Sequence, residues 1–211
     1  MDQNLDDGKG RKHLIHMVQA GELKAVLFDL DGTLIHSGVA FSPYRERLDI
    51  QGDVIQGIMK LPPVQQKEKW DIIQEYEQEL QRRSKPALGA MKLLAYLKET
   101  GVKTAVITRS TGSHARALIM QHSLDIALAI GRDDITPKPD PKGIFYLLDK
   151  LGIEKEHAIM VGDFLWDMLA GKNAGIPTVM VLQDHSKPYA AMADVVVGSL
   201  SELDELLRPV H

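Results

Sequence analysis

The chain contains no cysteine among its 211 residues. Disulfide bonds and thiolate metal sites are therefore excluded, and the composition fits a reducing compartment such as the cytoplasm, where we expect the protein to be located. Hydrophobic runs long enough to cross a membrane are also missing, and the polar first ten residues are unlike a signal peptide. We therefore expect no membrane partner.

Aromatic residues make up only 5% of the chain, and no basic stripe interleaved with aromatic side chains occurs. Together with a formal net charge of -4 at pH 7, this pattern argues against nucleic acid as a partner. The hydrophobic content of 44% is that of an ordinary globular chain. At this length one domain with a modest insertion is expected, and we predict a monomer or a weak dimer.

The most informative segment is Lys24–Leu34, an apolar strand that ends in two carboxylates and a turn glycine. An unbroken run of Val, Leu and Phe is typical of a buried parallel strand. Asp29 and Asp31 stand at positions i and i+2, which leave a strand on the same side, so both carboxylates can face one small volume. Two like charges that close raise each other's pKa unless a cation or a proton lies between them. The pair indicates metal binding, acid/base chemistry or both; the alternative is an Asp-rich turn that caps the strand.

Three later segments each present a polar group after an apolar strand or in a rigid turn. Lys103–Thr108 ends in a hydroxyl, and Lys138 lies in the sequence Lys-Pro-Asp-Pro. Ala158–Asp167 is an apolar strand followed by Gly-Asp, with a second carboxylate four residues after the first. Polar residues that follow parallel strands lie at the carboxyl edge of the sheet, where open α/β folds bind ligands. We therefore expect the four segments to converge on one site.

In this order the four motifs resemble those of the haloacid dehalogenase (HAD) superfamily of hydrolases, whose nucleophile is an aspartate. The superfamily pattern is Asp-x-Asp-Gly-Thr followed by Leu or Val, then Thr or Ser after a strand, then Lys, then Gly-Asp-x-x-x-Asp. The resemblance extends from Lys24 to about Leu207 and points to the phosphoglycolate-phosphatase-like subgroup with a small helical cap. It implies an α/β fold with a doubly wound, Rossmann-like parallel sheet. The implied activity is a magnesium-dependent phosphatase that hydrolyses a phosphate monoester of a small metabolite through an aspartyl-phosphate intermediate.

The same resemblance implies the roles of four carboxylates. Asp29 is the nucleophile, and Asp31 is the general acid and base, which also offers its backbone carbonyl to the metal. Asp163 binds the metal through its carboxylate, and Asp167 supports the metal directly or through water. An all-oxygen set of ligands suits Mg²⁺, which is the expected cofactor.

Five further positions are expected to hold the phosphoryl group. Thr108 donates a hydrogen bond to a phosphoryl oxygen, and Lys138 pairs with the same group and with the nucleophile. The backbone N–H groups of Gly32 and Thr33 are expected to face the phosphoryl oxygens as an anion-binding nest does. Arg109 stands where many relatives have Asn or Gly, so its planar guanidinium is predicted either to bind an anion or to lie at the surface.

Simpler structural roles stay open for single residues taken alone. The hydroxyl of Thr108 could satisfy a nearby backbone group, and Lys138 could be a solvated surface lysine. His36 occupies a position that is frequently Asp in relatives, which bears on the identity of the substrate and leaves the reaction class unchanged.

From Ala87 onward, amphipathic segments alternate with short apolar runs, which predicts repeated strand and helix units on a parallel sheet. The predicted HAD-like core comprises 23–38 and 87–211, after an N-terminal extension of 1–22. In that extension, 1–10 are predicted to be disordered and Arg11–Ala20 to form a helix. The predicted strands are Ala25–Asp29, Lys103–Thr108, Ala127–Ile130, Ala158–Val161, Thr178–Leu182 and Asp194–Val197. The predicted helices are Gly89–Thr100, Ser113–Gln121, Pro141–Leu151, Trp166–Ala174 and Ser199–Leu207.

Residues 39–86 break this alternation and are predicted to form a small helical cap inserted after the first strand. A short helix around Val54–Lys60 and a long, highly charged one over Val64–Arg83 are separated by two prolines. The alternative is a helical excursion that only packs on the sheet. Four arginines of this segment are expected to be able to reach the site: Arg45, Arg47, Arg82 and Arg83.

Competing functions differ in their motifs. Dehalogenases of the superfamily lack the second carboxylate of the first motif, so Asp31 argues against that activity. A phosphomutase or another phosphotransferase is a weaker alternative, because mutases that resemble this subgroup tend to have Val in place of Thr33. Two-component receiver domains lack Gly-Asp-x-x-x-Asp. A non-catalytic regulatory protein that binds metal or phosphate is the remaining alternative, and the complete set of motifs disfavours it.

Overall fold

The computed structural model describes residues 8–182 and 188–208 of the chain. The chain splits into two compact units. The cap unit is Ser37–Lys85, and the core unit contains the described residues on either side of it. Within the described residues, no helix combines the length and the apolar character that crossing a membrane requires.

The strands of the described residues follow one another along the chain with helices between most of them. The strands are β1 (Ala25–Phe28), β2 (Ile35–His36), β3 (Lys85–Pro86), β4 (Lys103–Ile107), β5 (Leu128–Ile130), β6 (Ala158–Gly162), β7 (Thr178–Val181) and β8 (Val195–Val197). The α-helices are α1 (Lys9–Gln19), α2 (Ser42–Leu48), α3 (Val54–Met59), α4 (Pro63–Arg83), α5 (Ala90–Glu99), α6 (Gly112–Gln121), α7 (Lys142–Leu151), α8 (Leu165–Ala174) and α9 (Leu200–Leu206). Short 3-10 turns cover Lys155–His157 and Ala190–Met192.

Six of these strands form one parallel sheet in the spatial order β5-β4-β1-β6-β7-β8, and β2 and β3 pair separately. In the centre of the sheet, Ala25 of β1 is in register with Lys103 of β4 on one side and Ala158 of β6 on the other. The chain builds the sheet outward from β1 in one direction and from β6 in the other. The strand order therefore switches between β1 and β6, which is where open α/β sheets bind ligands.

Helices cover both faces of the sheet, because successive side chains of a strand point to opposite faces. Val26 and Phe28 pack into a core with residues of α1, α5, α6 and α9. Ala25 and Leu27 pack into a second core with residues of α7 and α8. The predicted fold class, a doubly wound parallel sheet, is confirmed.

The sequence pattern located the elements of this sheet closely. Each predicted strand and helix from Ala25 onward in the core unit begins and ends within one residue of the observed element. Gly152 and Gly175 follow α7 and α8 with φ of 68° and 72°, the left-handed conformation that helix-ending glycines adopt. At the start of α9, the Ser199 hydroxyl accepts a hydrogen bond from the Glu202 N–H at 3.2 Å.

The N-terminal helix begins earlier than predicted. Helix α1 starts at Lys9, so Lys9 and Gly10 are helical where disorder was expected. The disorder expected for residues 1–7 lies outside the described residues. Leu14 and Met17 of this helix are buried in the core of the sheet, which explains why its amphipathic pattern forms a stable helix.

The cap unit is a small helical body with its own core. Helices α3 and α4 correspond to the two predicted helices, and α2 is an additional one. Four buried side chains make up the core: Leu48, Val54, Ile58 and Ile73. The carboxylate of Asp53 accepts the N–H of Ile55 at 3.0 Å and so caps α3, and Pro63 occupies the first turn of α4, where a missing N–H costs nothing.

Candidate active site

Three strands of the sheet end directly before a predicted site residue. Asp29 follows β1, Thr108 follows β4 and Asp163 follows β6. Since β1 is paired in parallel with both β4 and β6, these three residues lie at the same carboxyl edge of the sheet. The edge coincides with the switch in strand order described above.

A buried lysine lies among the carboxylates at this edge. The Nζ of Lys138 is 2.6 Å from Oδ1 of Asp29 and 2.5 Å from Oδ1 of Asp167, and the residue is only 1% exposed. Burial acts to lower the pKa of Lys138, but Asp167 and Asp29 outweigh it, so the pKa is raised above its ordinary value. The lysine therefore stays protonated, and the interpretation of Lys138 as a solvated surface residue is wrong.

The carboxylate of Asp29 is short of positive charge. Burial raises the pKa of Asp29 well above its ordinary value; Lys138 lowers it, while Asp167, Asp163 and Asp31 raise it further. Burial, with the surrounding carboxylates, thus outweighs the ammonium of Lys138. A further cation near Asp29 would favour its ionised form.

The carboxylates fit such a cation. One oxygen each of Asp29, Asp163 and Asp167 can be chosen so that all three lie within 4.8 Å of one another. The other oxygen of Asp167 accepts the Phe164 N–H at 3.0 Å, which fixes the carboxylate at the start of α8. Oxygen donors at this spacing suit a hard divalent cation. The cluster is therefore able to hold a divalent metal ion.

The turn after β1 lies against the carboxylate of Asp163. Gly32 has a φ of +96°, and a Cβ atom at this residue would lie 2.6 Å from Oδ2 of Asp163. Only glycine fits there, for both conformational and steric reasons. The hydroxyl of Thr33, which is fully buried, lies 3.4 Å from Oδ1 of Asp163 and donates toward it. This turn therefore orients the carboxylate of Asp163.

The two N–H groups that were expected to form an anion nest make hydrogen bonds within the same turn. The N–H of Gly32 donates to the carbonyl of Ile35 at 2.8 Å, and that of Thr33 to the carbonyl of Leu30 at 3.3 Å. Both donors are used to close the turn, and their contact with phosphoryl oxygens stays a prediction. The sequence does not show which carbonyl groups the turn places beside these two N–H groups, so their hydrogen bonds could not be predicted from it.

Thr108 and Arg109 follow β4. The buried Thr108 hydroxyl accepts the Ser110 N–H at 3.0 Å, which uses a lone pair and leaves its proton to donate elsewhere. Arg109 donates to the backbone carbonyl of Lys138, and its guanidinium lies 4.9 Å from the ring centroid of Trp166. Arg109 thus braces the segment that carries the lysine, and its role as an anion binder stays a prediction.

Two residues at this site were missed by sequence reasoning. The hydroxyl of Ser110 donates to Oδ2 of Asp31 at 2.8 Å, and Nε2 of His114 lies 3.6 Å from Oδ1 of the same carboxyl group. Their signal is faint: a serine and a histidine four residues apart, shortly after the strand-end threonine. Nothing in the pattern says that the turn between them folds back onto Asp31.

The four cap arginines have partners within the cap unit. Arg45 donates to the Gly52 carbonyl at 2.8 Å, and Arg47 pairs with Glu75 at 2.6 Å. Arg82 and Arg83 pair with Glu79 at 2.5 and 4.0 Å. Their availability for a bound substrate is accordingly lower than the sequence suggested.

A cavity of about 250 Å³ adjoins the carboxylate site within the core unit. The residues that line it include Thr33, His36, Asp163, Leu182 and Ser199. Burial lowers the pKa of His36. The cavity has room for a small group attached to a phosphate, and it offers both polar and apolar contacts.

A doubly wound sheet that gathers carboxylates and a buried lysine at its switch point defines an α/β enzyme with an acidic centre. A family model described as haloacid dehalogenase-like hydrolase matches residues 42–181. The chain belongs to this family of haloacid dehalogenase-like hydrolases, which confirms the resemblance found in the motifs.

Individual relatives agree with this assignment. The phosphoglycolate phosphatase of Neisseria meningitidis is 30% identical over 222 residues, covering 89% of this chain and 94% of the relative. An uncharacterized hydrolase of Saccharomyces cerevisiae is 29% identical over 203 residues, covering 90% and 93%. The crystal structure of a hydrolase from Pseudomonas syringae has a TM-score of 0.69 at 24% identity, covering 86% and 98%, which shows a common fold. The chain is thus a haloacid dehalogenase-like hydrolase.

Proposed function

We propose that the protein is a magnesium-dependent phosphatase that hydrolyses a small phosphorylated metabolite through an aspartyl-phosphate intermediate. One observation carries the proposal. The buried carboxylate of Asp29 lies 2.6 Å from the ammonium of Lys138, in a cluster with Asp163 and Asp167 whose ligand oxygens lie within 4.8 Å of one another. Such a cluster combines a nucleophile with the positive charge that an anionic phosphoryl group requires.

In the first step, an oxygen of Asp29 attacks phosphorus and the bond between phosphorus and the leaving oxygen breaks. Asp31, in its protonated form, gives its proton to that oxygen, so that an alcohol leaves. Lys138 and the hydroxyl of Thr108 donate to oxygens of the phosphoryl group and stabilise the charge that develops on them. The product on the enzyme is a phosphorylated Asp29.

In the second step, water attacks the phosphorus of the phosphorylated Asp29. Asp31, now a carboxylate, accepts a proton from this water, and inorganic phosphate and the free carboxylate of Asp29 are released. Both aspartates return to their starting states. The net reaction consumes one ester and one water and yields one alcohol and one phosphate.

Mg²⁺ bound by Asp29, Asp163 and the Asp31 carbonyl, with support from Asp167, would supply the charge that keeps the nucleophile ionised and neutralises the phosphoryl oxygens. The protein contributes the arrangement of these ligands. Thr33 and Gly32 set the position of Asp163, and Lys138 sets that of Asp167.

Two observations support a small substrate in preference to a large one. The cavity next to Asp163 measures about 250 Å³ and is lined in part by the polar side chains of His36 and Ser199. A relative is named a phosphoglycolate phosphatase, after a small phosphorylated acid. We propose a phosphorylated metabolite with a second anionic or polar group, in preference to a phosphorylated protein.

The proposed function is tested by metal-dependent release of p-nitrophenol from p-nitrophenyl phosphate. Mg²⁺ should support turnover and excess chelator should abolish it. Ca²⁺ should inhibit, because its looser coordination can engage both oxygens of Asp29. Asp163→Asn should weaken the response to Mg²⁺, whereas Asp149→Asn, which changes an exposed carboxylate on α7, should not. Full activity in excess chelator contradicts the proposal, and metal binding without turnover on any phosphoester would favour a binding protein.

The cap unit is proposed to contribute specificity. Replacing 39–85 by a short flexible linker should preserve metal binding and part of the cleavage of p-nitrophenyl phosphate, because the four motifs lie outside it. Cleavage of the preferred metabolite, found by screening phosphorylated compounds, should fall much further. Equal losses on both substrates in a folded deletion would mean that the segment is scaffolding. The cytoplasmic location and the monomeric or weakly dimeric state stay predictions, which cell fractionation and sedimentation would test.

A further inference from the structure

His114 and Asp31 face each other through two buried polar atoms. The side chain of His114 is 5% exposed, and its Nε2 lies 3.6 Å from Oδ1 of Asp31. Neither atom has a hydrogen-bond partner among the described residues. Buried polar atoms without a partner are rare because desolvation costs free energy that is not regained. Two such atoms facing each other at a catalytic carboxyl group therefore require an explanation.

The other oxygen of Asp31 is held by a neighbour of this histidine. Ser110 donates its hydroxyl to Oδ2 of Asp31 at 2.8 Å. One carboxyl group is thus contacted on both oxygens by side chains of a single segment of five residues. The hydrogen bond from Ser110 restricts rotation of the carboxyl group, and the imidazole of His114 lies against its other oxygen.

The segment that carries these contacts is itself fixed. The hydroxyl of Thr111 accepts the N–H of His114 at 3.3 Å and caps α6. The N–H of Gly112 donates to the carboxylate of Asp133 at 2.6 Å. The imidazole therefore projects from a braced first helical turn, so that its position relative to Asp31 does not depend on a mobile loop.

We propose that Ser110 and His114 are positioning residues that hold the carboxyl group of Asp31 in the orientation from which it protonates the leaving oxygen. This inference rests on the proposed function. A general acid must lie within hydrogen-bond reach of the leaving oxygen, and small misplacements of a catalytic group reduce rates strongly. The distance of 3.6 Å exceeds that of a hydrogen bond, and such contacts often shorten when substrate binds.

The positioning role of Ser110 and His114 can be measured by comparing the hydrolysis of two phosphate esters. β-Glycerophosphate has an alkoxide leaving group that needs a proton, whereas p-nitrophenolate leaves without one. The value of kcat/KM reports the steps up to departure of the leaving group, so it excludes the later activation of water. His114→Leu, which keeps the bulk and removes the polar atoms, should lower kcat/KM for β-glycerophosphate about 10-fold or more beyond its effect on p-nitrophenyl phosphate. Ser110→Ala should likewise lower the ratio of kcat/KM for β-glycerophosphate to kcat/KM for p-nitrophenyl phosphate.

Conservative variants and a matched control complete the test. His114→Gln should recover part of the ratio, since its amide can reach Asp31, and Ser110→Thr should do the same. His157→Leu makes the same replacement just before β6, at the opposite edge of the sheet, and should leave the ratio unchanged. If His114→Leu does not fold, Ser110→Ala carries the test by itself.

The outcomes distinguish this inference from the proposed function. Hydrolysis of both esters by the wild type, with equal losses on both in the Ser110 and His114 variants, would overturn the positioning role and leave the phosphatase activity standing. Unchanged kinetics in those variants would overturn it as well. Failure of the wild type to hydrolyse either ester with Mg²⁺ present would contradict the proposed function itself, and the positioning role with it.

Discussion

Two buried carboxylates of the core unit, Asp29 and Asp204, have opposite electrostatic surroundings. Asp204 of α9 has a fully buried side chain, with Lys92 at 2.9 Å from Oδ2 and Arg208 at 2.8 Å from Oδ1. Burial acts to raise the pKa of Asp204, but the hydrogen bonds from Arg208 and Lys92 outweigh it and the pKa is lowered. At Asp29 burial prevails over Lys138 and the pKa is raised.

The number of cations beside each buried carboxylate explains why the pKa of Asp204 is lowered while that of Asp29 is raised. Two cations serve the one carboxylate of Asp204, so this cluster is neutralised within the protein and links α9 to α5. At the sheet edge Lys138 pairs with both Asp29 and Asp167, so among the described residues this cluster has more carboxylates than ammonium groups. A deficit of this kind, in a cleft and with a perturbed pKa, is typical of a functional site, whereas a balanced cluster is typical of a structural one.

The largest expected effect is on activity, which should depend on Asp29 and not on Asp204. Asp29→Asn keeps the shape and removes the attacking charge, so activity should fall by at least ~10³, and Asp31→Asn should be nearly as damaging. Asp204→Asn should retain activity while it remains folded, because the residue lies in the structural cluster. Steady-state rates on p-nitrophenyl phosphate, with circular dichroism as the check on folding, measure this. Substantial activity in Asp29→Asn would contradict the covalent mechanism.

The second expected effect is a loss of stability when the charge of Asp204 is removed. Asp204→Asn removes a charge that receives hydrogen bonds from two cations, so the free energy of unfolding should fall by about 1–3 kcal/mol. Urea denaturation measures it. Asp149→Asn is the matched control, because the pair of Asp149 with Lys150 is exposed and 4.0 Å long, and no measurable change is expected there. An unchanged midpoint in Asp204→Asn would mean that the buried cluster does not stabilise the fold.

In the metal-free protein, Asp29→Asn is expected to raise stability, whereas Asp204→Asn is expected to lower it. Because folding raises the pKa of Asp29, this residue lowers stability as the pH rises through its folded-state pKa. Asp29→Asn removes that cost and leaves Lys138 paired with Asp167, so its melting temperature in chelator at neutral pH should exceed that of the wild type. Mg²⁺ should reverse this order, because it stabilises the wild type by binding its folded state. A variant less stable than the wild type in chelator would mean that the cluster is not short of positive charge.

The smallest effect is the pH dependence of the Asp204 contribution. Because folding lowers the pKa of Asp204, its stabilisation is fully present above the unfolded-state value of about 3.9 and is lost as the pH falls through the folded-state value. The difference in unfolding free energy between the wild type and Asp204→Asn should therefore stay constant near neutral pH and shrink in acid. A difference that persists unchanged at the lowest pH that keeps both proteins folded would contradict this assignment.

The sequence carried enough information for the sheet and for the edge at which the motif residues meet. Apolar strand runs and helix-ending glycines depend on local preferences, so each predicted strand and helix of the core unit from Ala25 onward begins and ends within one residue of the observed element. Asp29, Thr108 and Asp163 lie at one edge because each follows a parallel strand. Helix α2 was missed because its seven residues lack a long amphipathic pattern.

Side-chain partners were much harder to foresee. The N–H of Gly32 closes its own turn, and Arg109 donates to the backbone carbonyl of Lys138. The contact between His114 and Asp31 joins residues 83 positions apart along the chain, through a helix start whose direction only the folded sheet determines. Such contacts depend on three-dimensional packing, which periodicity and spacing do not encode.

The most direct test of the central claim is detection of a phosphoryl group on Asp29 during turnover. Enzyme mixed with substrate and Mg²⁺ is quenched in acid within the first turnovers, and its peptides are analysed by mass spectrometry. We predict that the peptide containing Asp29 gains the mass of one phosphoryl group, that hydroxylamine removes it, and that Asp29→Asn never shows it. Rapid turnover without phosphorylation of this peptide, or with the group on another residue, would contradict the account.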